Sequence, residues 1–320
     1  MTITDILSHT WCHLSFLLGL AGNTYVVYST VFHRAIKLDK LSIWIIQMLA
    51  VSDLANTVLV LVPVIISLYA DSTWILGDTF CNLSFVYKYL GYIANVILIN
   101  ALAFNKMMRC LFPLRNMNCS RSQRWSVAMV TVIGTLMTPI YHSYKTSLKD
   151  VFSVQFSRSQ CMCWMVQIAE PPGWHYILDY GFSGLLNALP CLTLIGINTF
   201  LVTYAVKKST RPVNKMNIAI VVLITASFLV SSLPYFIYYM VSGDVWEDDD
   251  VILRFVTFIM FTMFWSNPVI YLATNKYFRK FTVGSVRRDA RTSIGQNMSF
   301  RNSTRRDPRA SLTFQNSTAF

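Results

Sequence analysis

Long apolar stretches recur along the whole chain and are separated by short polar connections. Seven of them hold mostly apolar residues and cover positions 11–32, 41–70, 79–104, 125–144, 180–206, 216–243 and 255–275. A helix needs ~20 such residues to cross the hydrocarbon core of a bilayer, which is roughly 30 Å thick. The pattern therefore predicts an all-α membrane protein, a bundle of seven transmembrane helices.

The composition and the distribution of charge agree with this prediction and add an orientation. The chain is 54% hydrophobic and only 13% charged, which is too apolar for a water-soluble domain. Of its 27 Lys and Arg residues, 22 lie near the first, third and fifth connections or after the last span. Because basic residues near span ends stay in the cytoplasm, we expect the amino terminus outside and the carboxyl terminus inside. The net charge of +12 then reflects topology, and no nucleic-acid partner is expected.

The same pattern divides the chain into three regions: an extracellular amino terminus over 1–10, a membrane domain over 11–281 and a tail over 282–320. The membrane domain ends in KYFRKF, which is amphipathic and predicts a short helix lying on the bilayer surface. The tail is rich in Arg, Ser, Thr and Asn, which predicts a disordered cytoplasmic segment. Its last residues, Thr318–Phe320, could add a strand to the groove of a PDZ-type partner.

Several short motifs at fixed places in the spans carry a family resemblance. The seventh span ends in NPVIYLATNKYFRKF at Asn267–Phe281, the second contains LAVSDLA at Leu49–Ala55, and the first contains Gly22 and Asn23. Together they resemble the class A, rhodopsin-like G-protein-coupled receptors, and within that family the peptide receptors. The resemblance covers about residues 11 to 281. It implies a plasma-membrane receptor rather than an enzyme, with an extracellular ligand, a heterotrimeric G protein and arrestin as partners.

The spacing of the third span locates the family's cytoplasmic triplet, Asp-Arg-Tyr. In the family the triplet begins 24 residues after the cysteine that opens this helix, and Cys81 plus 24 is Asn105. Asn105, Lys106 and Met107 therefore take the triplet's place. An amide cannot form the charged lock that the aspartate makes, and lysine is a point charge rather than a planar fork. We expect a weakened inactive state with basal signalling, which Asn105→Asp with Lys106→Arg should lower. A decoy receptor that binds ligand without activating a G protein is the competing interpretation.

The other parts of the family's switch are mixed. Ser232 stands where the family has a tryptophan, and Asn198 stands where it has a tyrosine. The resemblance assigns the remaining switch positions to residues that keep the family's identity, namely Phe228, Pro234, Asn267, Pro268 and Tyr271.

The resemblance also implies a disulfide between the third span and the second outer loop. Cys81 opens the third span, and the loop offers Cys161 and Cys163. The extracellular side is oxidising, so a bridge persists there. Cys161 is the preferred partner because Trp164 follows it at a spacing seen in peptide receptors, and Cys163 is the alternative.

Asp53 is a carboxylate within an apolar span, which is costly unless it is partnered. The resemblance implies a sodium or water site formed with Asn95. Met263 and Phe264 stand where the family often has oxygen-bearing side chains, which speaks against sodium. The alternative is a structural hydrogen-bond network around a neutral Asp53.

Lys88 is the second charge deep in the spans, seven residues or ~10 Å below the outer end of its helix. Receptors for biogenic amines place an aspartate there, so a lysine disfavours amine ligands. Lys88 could bind an acidic or carbonyl group of a ligand, or it could pair internally with Asp179.

An aromatic-walled pocket around Lys88 is the predicted ligand site. The resemblance assigns it further lining residues, namely Tyr92, Phe182, Tyr235, Phe236, Tyr239, Thr257 and Phe261. An acidic run at 247–250 lies on its rim and would attract cationic ligands. A neuropeptide is therefore the preferred ligand, with an acidic small molecule or lipid as the alternative.

Overall fold

The computed structural model describes residues 3–32, 38–70, 73–112, 121–147, 152–157, 162–167, 181, 184–207, 212–242 and 251–274. These residues belong to one compact unit, Met1–Lys276. The predicted surface helix after the seventh span, the tail over 282–320 and the PDZ-type ending Thr318–Phe320 lie outside the described residues, and so does the acidic run at 247–250.

The described chain consists of long helices and one small hairpin. In chain order the elements are α1 Ile3–Phe32, α2 Lys40–Asn56, a π-helical turn Thr57–Leu61, α3 Val62–Tyr69, α4 Asp78–Leu111, α5 Arg121–Ser147, β1 Phe152–Ser157, β2 Met162–Gln167, a second π-helical turn Gly184–Ala188, α6 Leu189–Lys207, α7 Pro212–Ser242, α8 Val251–Phe261 and α9 Met263–Thr274.

The helices match the seven apolar stretches. Within the described residues, five continuous helical segments are long and apolar enough to cross a membrane: α1, α2 with α3, α4, α6 with its π turn, and α7. A further span is bent, because α8 and α9 meet at 41°. The fourth stretch is α5, whose 27 residues extend ~40 Å at ~1.5 Å per residue.

Two features differ from the sequence expectation. α1 begins at Ile3, so the helix of the first span starts eight residues before the apolar stretch at 11–32. The second outer loop contains an antiparallel hairpin in which β1 pairs with β2 from Phe152 opposite Gln167 to Ser157 opposite Met162.

Both π-helical turns precede a proline. The turn at Thr57–Leu61 ends two residues before Pro63, and the turn at Gly184–Ala188 ends two residues before Pro190. Proline lacks an N–H and its ring clashes with the carbonyl four residues earlier, so the helix widens by one residue to accommodate it. The positions of the two prolines therefore determine where the second and fifth spans deviate from regular α-helical geometry.

α4 is the central helix of the bundle. It contacts α2, α5, α6, α7 and both strands of the hairpin. We call the end of the bundle that carries the hairpin the hairpin end, and the opposite end, where Asn105 lies, the Asn105 end. All predicted site residues on α4 lie along its length between these two ends.

Candidate functional site

The disulfide at the hairpin end joins Cys81 to Cys163, with 5.3 Å between their Cα atoms. The preference for Cys161 was wrong, and the alternative pairing is confirmed. Cys163 lies within β2 opposite Phe156, and this strand packs against α4 where Cys81 is located. Cys161 precedes the strand and lies outside the described residues.

The hairpin covers the start of α4. The Cys163 side chain is 1% exposed, and the neighbouring Met162 is also buried. Trp74, from the connection before α4, donates its indole N–H to the carbonyl of Gly77 at 2.9 Å, and its ring lies 5.7 Å from that of Phe156. Gly77 has a φ of +80°, which glycine adopts without strain, so the connection turns directly into α4.

Lys88 lies directly below this cover. Its ammonium donates to the hydroxyl of Tyr235 at 3.0 Å and to the sulfur of Met162 at 3.2 Å. The same nitrogen lies 4.8 Å from the centre of the Tyr235 ring, which adds a cation–π contact. The lysine therefore joins the third span, the sixth span and the hairpin at one point.

A small cavity adjoins the lysine on the side of the second span. Its walls are largely apolar and are formed by Val60, Pro63, Val64, Trp74, Ser84, Lys88, Met162 and Cys163. The cavity thus combines one buried cationic group, which is only 6% exposed, with aliphatic and thioether surface.

Tyr92 lies one turn further along α4 and contacts the part of the sixth span that lacks the family's tryptophan. Its ring stacks on Phe228 with 6.0 Å between centroids. The Ser232 hydroxyl donates to the carbonyl of Phe228 at 2.7 Å. A tyrosine on the third span therefore packs against the position where the family has an aromatic residue on the sixth.

The other predicted lining residues are dispersed. Phe261 is fully buried between Phe258 and Phe264, with ring centroids 5.8 and 5.9 Å away, which is a core position. Thr257 is also fully buried, and its hydroxyl has no hydrogen-bond partner among the described residues. Phe236 is half-buried in α7. Phe182, the side chain of Tyr239 and Asp179, the alternative internal partner of Lys88, lie outside the described residues.

Asp53 forms a polar cluster in the middle of the bundle. The amide of Asn95 donates to one carboxylate oxygen at 2.6 Å, and the amide of Asn267 donates to the other at 2.9 Å. Asp53 is fully buried, so these two bonds hold together the second, third and seventh spans.

The cluster does not fit a bound sodium ion well. Both carboxylate oxygens accept amide hydrogens, and hard cations are held by several oxygen ligands. The Asn95 oxygen is buried without a partner in the described residues, but Met263 and Phe264 supply no side-chain oxygen nearby. The geometry favours the structural hydrogen-bond network, and we assign no step to sodium.

The remaining residues of the seventh-span motif lie in the same core. Tyr271 is 1% exposed and Asn267 is 5% exposed. Pro268 packs against the first span so closely that a Cβ on Gly22 would lie 2.8 Å from its ring. The amide of Asn23 donates to the carbonyls of Gly19 and Phe264 at 2.9 and 2.7 Å, which ties the first span to the bend between α8 and α9.

At the Asn105 end, the triplet meets an acid from the first connection. The amide of Asn105 donates to Asp39 at 3.2 Å and to the hydroxyl of Ser42 at 3.0 Å. Arg109, one turn further along α4, forms an ion pair with the same Asp39 oxygen at 3.4 Å. Lys106 and Met107 are both half-buried beside it.

Asp39 is also the N-cap of α2. It accepts the backbone N–H of Ser42 at 2.9 Å and the Ser42 hydroxyl at 2.8 Å. A capping aspartate satisfies an otherwise unpaired helix N–H. Sequence reasoning missed both Asp39 and Arg109. One clue was present, because Asp39 is the single acidic residue in the first, third and fifth connections.

Asn198, which stands where the family has a tyrosine, forms a hydrogen bond between the fifth and sixth spans. Asn198 accepts a hydrogen bond from the hydroxyl of Thr225 on the sixth span at 2.6 Å. The Thr225 hydroxyl also contacts the carbonyl of Val221 at 2.9 Å. This polar link joins the fifth and sixth spans on the Asn105 side of the bundle.

Comparison with known proteins agrees with this architecture. A family model described as 7 transmembrane receptor (rhodopsin family) matches residues 22–271, well over half of the chain. The chain belongs to the rhodopsin family of seven-transmembrane receptors. The predicted seven-helix bundle and the class A assignment are confirmed, and the chain is a multi-pass membrane receptor rather than an enzyme.

The similar curated proteins are receptors of two kinds. Cysteinyl leukotriene receptor 1 of Mus musculus is 23% identical over 69% of this chain and 62% of its own length. The Homo sapiens receptor of that name is 22% identical over 82% of this chain and 80% of its own length. C-C chemokine receptor 1-like protein 1 of Mus musculus is 25% identical over 94% of this chain and 84% of its own length. The chain spans less than two thirds of the mouse, guinea-pig and pig leukotriene receptors.

Proposed function

We propose that this chain is a plasma-membrane receptor that binds a ligand with an acidic group at Lys88 and activates a heterotrimeric G protein. The carrying observation is the placement of Lys88, a buried cation at the wall of a mostly apolar cavity beneath the disulfide-bonded hairpin. Ligand pockets of receptors combine such apolar walls with a few placed polar groups. The uneven charge distribution supports an extracellular hairpin end and a cytoplasmic Asn105 end.

The chemistry of the cavity favours an acidic lipid or small molecule over the neuropeptide preferred from the sequence. Valine, proline and methionine surround Lys88, so an anionic group on a hydrocarbon body suits both the charge and the walls. Four of the similar receptors are named for cysteinyl leukotriene, which is consistent with this choice.

A peptide is the second candidate. The chemokine receptor 1-like relative supports it, and so does the acidic run at 247–250, which would attract a cationic ligand. A basic or amidated peptide would use the acidic rim first and present a carbonyl to Lys88. Arrestin is a further expected partner, and the decoy alternative predicts ligand binding without G-protein recruitment.

A ligand panel tests the proposal. Cells with verified surface expression are exposed to cysteinyl leukotrienes, to other long-chain carboxylic acids, to the methyl esters of the same compounds and to amidated neuropeptides. G-protein recruitment and arrestin recruitment are recorded separately. We expect an acid to activate the receptor and its ester to be at least about tenfold weaker, because the ester loses a charge-assisted hydrogen bond.

Two variants of Lys88 show whether this residue carries the recognition. Lys88→Met keeps the length and apolar character of the side chain but removes the charge, and it should lower the potency of the acid at least about tenfold. Lys88→Arg keeps the charge and should retain part of it. An ester or an amidated peptide that activates wild type and Lys88→Met equally would contradict the proposal. Ligand binding with no G-protein recruitment would support the decoy interpretation instead.

A further inference from the structure

We propose that Asp39 supplies the acid of the inactive-state lock, which in this chain joins the first connection to Asn105 and Arg109 on α4. The family's lock lies between neighbouring residues of the triplet, and here the triplet contains no acid. The inference goes beyond the proposed function, on which it depends only for its signalling readout.

The contacts at Asp39 bring three segments together. One of its carboxylate oxygens accepts the amide of Asn105 at 3.2 Å and pairs with Arg109 at 3.4 Å, while also capping α2 at Ser42. Asn105 and Arg109 are four residues apart, so they lie on one face of α4. The lock of this chain is therefore a charge pair whose cation, Arg109, lies one helical turn beyond the triplet's first position on the third span. Its acid, Asp39, comes from the start of the second span.

The connections at the Asn105 end are strongly basic, so the single acid among them, Asp39, is the residue on which the lock depends. Three, five and four basic residues lie at the first, third and fifth connections, with Asp39 as the one acid among them. The side chain of Asp39 is 14% exposed and that of Arg109 is 28% exposed, so water screens the pair only in part. Lys106 is half-buried beside the pair and adds a second positive charge nearby.

This geometry changes what a carboxylate at position 105 is expected to do. If the triplet alone formed the lock, Asn105→Asp together with Lys106→Arg would restore it and lower basal activity. In the structure Asn105 donates a hydrogen bond to Asp39, so a carboxylate at position 105 would place two negative charges about 3 Å apart and lose the bond. We therefore expect Asn105→Asp to loosen the contact and raise basal activity.

The test uses variants that change charge without removing the helix cap. Asp39→Asn keeps a side-chain oxygen for the cap at Ser42, since asparagine is as good an N-cap as aspartate. Arg109→Gln removes the cation. At equal surface expression we expect each to raise basal G-protein recruitment about threefold to tenfold, and the double variant to exceed neither by much, since both break one interaction.

Matched controls lie at exposed sites. Asp78→Asn makes the same change at the hairpin end, and Arg124→Gln removes a cation at an exposed site in α5. Neither should change basal recruitment. If Asn105→Asp lowers basal recruitment, or if Asp39→Asn leaves both basal recruitment and hydrogen exchange at the wild-type level, as Asp78→Asn should, the proposal is overturned.

A second readout does not depend on coupling to a G protein. Amide hydrogen exchange is measured on the full chain in lipid nanodiscs, in peptides covering 39–46 and 105–112. We expect about threefold or faster exchange there in Asp39→Asn and Asn105→Asp, with peptides of α1 unchanged. Faster exchange without basal recruitment would support the lock while counting against G-protein coupling. Unchanged exchange would overturn the lock itself.

Discussion

The positively charged side chains at the two ends of α4 differ in their exposure and in the groups they contact. Near the start of the helix, Lys88 is 6% exposed and contacts neutral groups, the hydroxyl of Tyr235 and the sulfur of Met162. Near its end, Arg109 is more exposed and pairs with the carboxylate of Asp39. The comparison teaches that one helix carries a deeply buried cation beneath the hairpin at one end and a more exposed cation that is paired with an acid at the other.

Between these ends the helix passes through tightly packed polar residues. Asn95 binds Asp53, and Gly91 packs so closely on the second span that a Cβ there would clash with the side-chain oxygen of Asn56. Packed helices shift as units, so this middle section connects the two ends mechanically.

The largest expected effect comes from breaking the middle, where the two ends are joined. Asp53→Ala leaves the buried amides of Asn95 and Asn267 without their acceptor, which we expect to cost about 2 to 5 kcal/mol of unfolding free energy. Thermal unfolding of the purified receptor in nanodiscs measures it. Asp78→Ala at an exposed helix start is the control, and an equal melting temperature for both variants would contradict this assignment.

The next largest effect concerns the recognition of an acidic agonist at the hairpin end. Lys88→Met should lower the potency of an acidic agonist at least about tenfold, because a charge-assisted bond contributes roughly 1.5 to 3 kcal/mol. Concentration–response curves for G-protein recruitment measure it, with Lys88→Arg as the charge-preserving control. Unaltered potency in Lys88→Met would show that Lys88 does not bind the acidic group of the agonist, and the proposed difference in role between the two ends would be wrong.

A smaller effect tests how tightly the middle of α4 is packed. Gly91→Ala forces the buried side chain of Asn56 to move, and such overpacking costs about 1 to 3 kcal/mol. The control is Gly196→Ala in α6, where an added Cβ meets nothing within 4 Å. Melting temperatures measured side by side should fall only for Gly91→Ala. An equal response of the two variants would show that the contact near Asn56 yields easily.

Much of the fold could be predicted because its causes are local. Apolar runs fix the spans, since a bilayer rejects unpaired backbone groups and demands ~20 apolar residues per helix. The spacing from Cys81 predicts Asn105 near the end of the third span opposite the disulfide, and Asn105 lies there, while prolines at 63 and 190 fall where the helices widen.

What could not be predicted depends on contacts between distant segments. Cys161 and Cys163 are two residues apart, so spacing could not choose between them, and the hairpin register that places Cys163 over α4 is set by tertiary pairing. The partnership of Asp39 with Asn105 spans 66 residues. Local reasoning about the triplet compared Asn105 only with its sequence neighbours, and so it missed the hydrogen bond to Asp39.

The most direct test of the contrast between the two ends needs no ligand. Basal G-protein recruitment of Asp78→Asn at the hairpin end and of Asp39→Asn at the Asn105 end is measured in one assay at equal surface expression, beside wild type. The account predicts wild-type output for Asp78→Asn and about threefold to tenfold higher output for Asp39→Asn. Wild-type output for Asp39→Asn, or an equal rise in both variants, would contradict it.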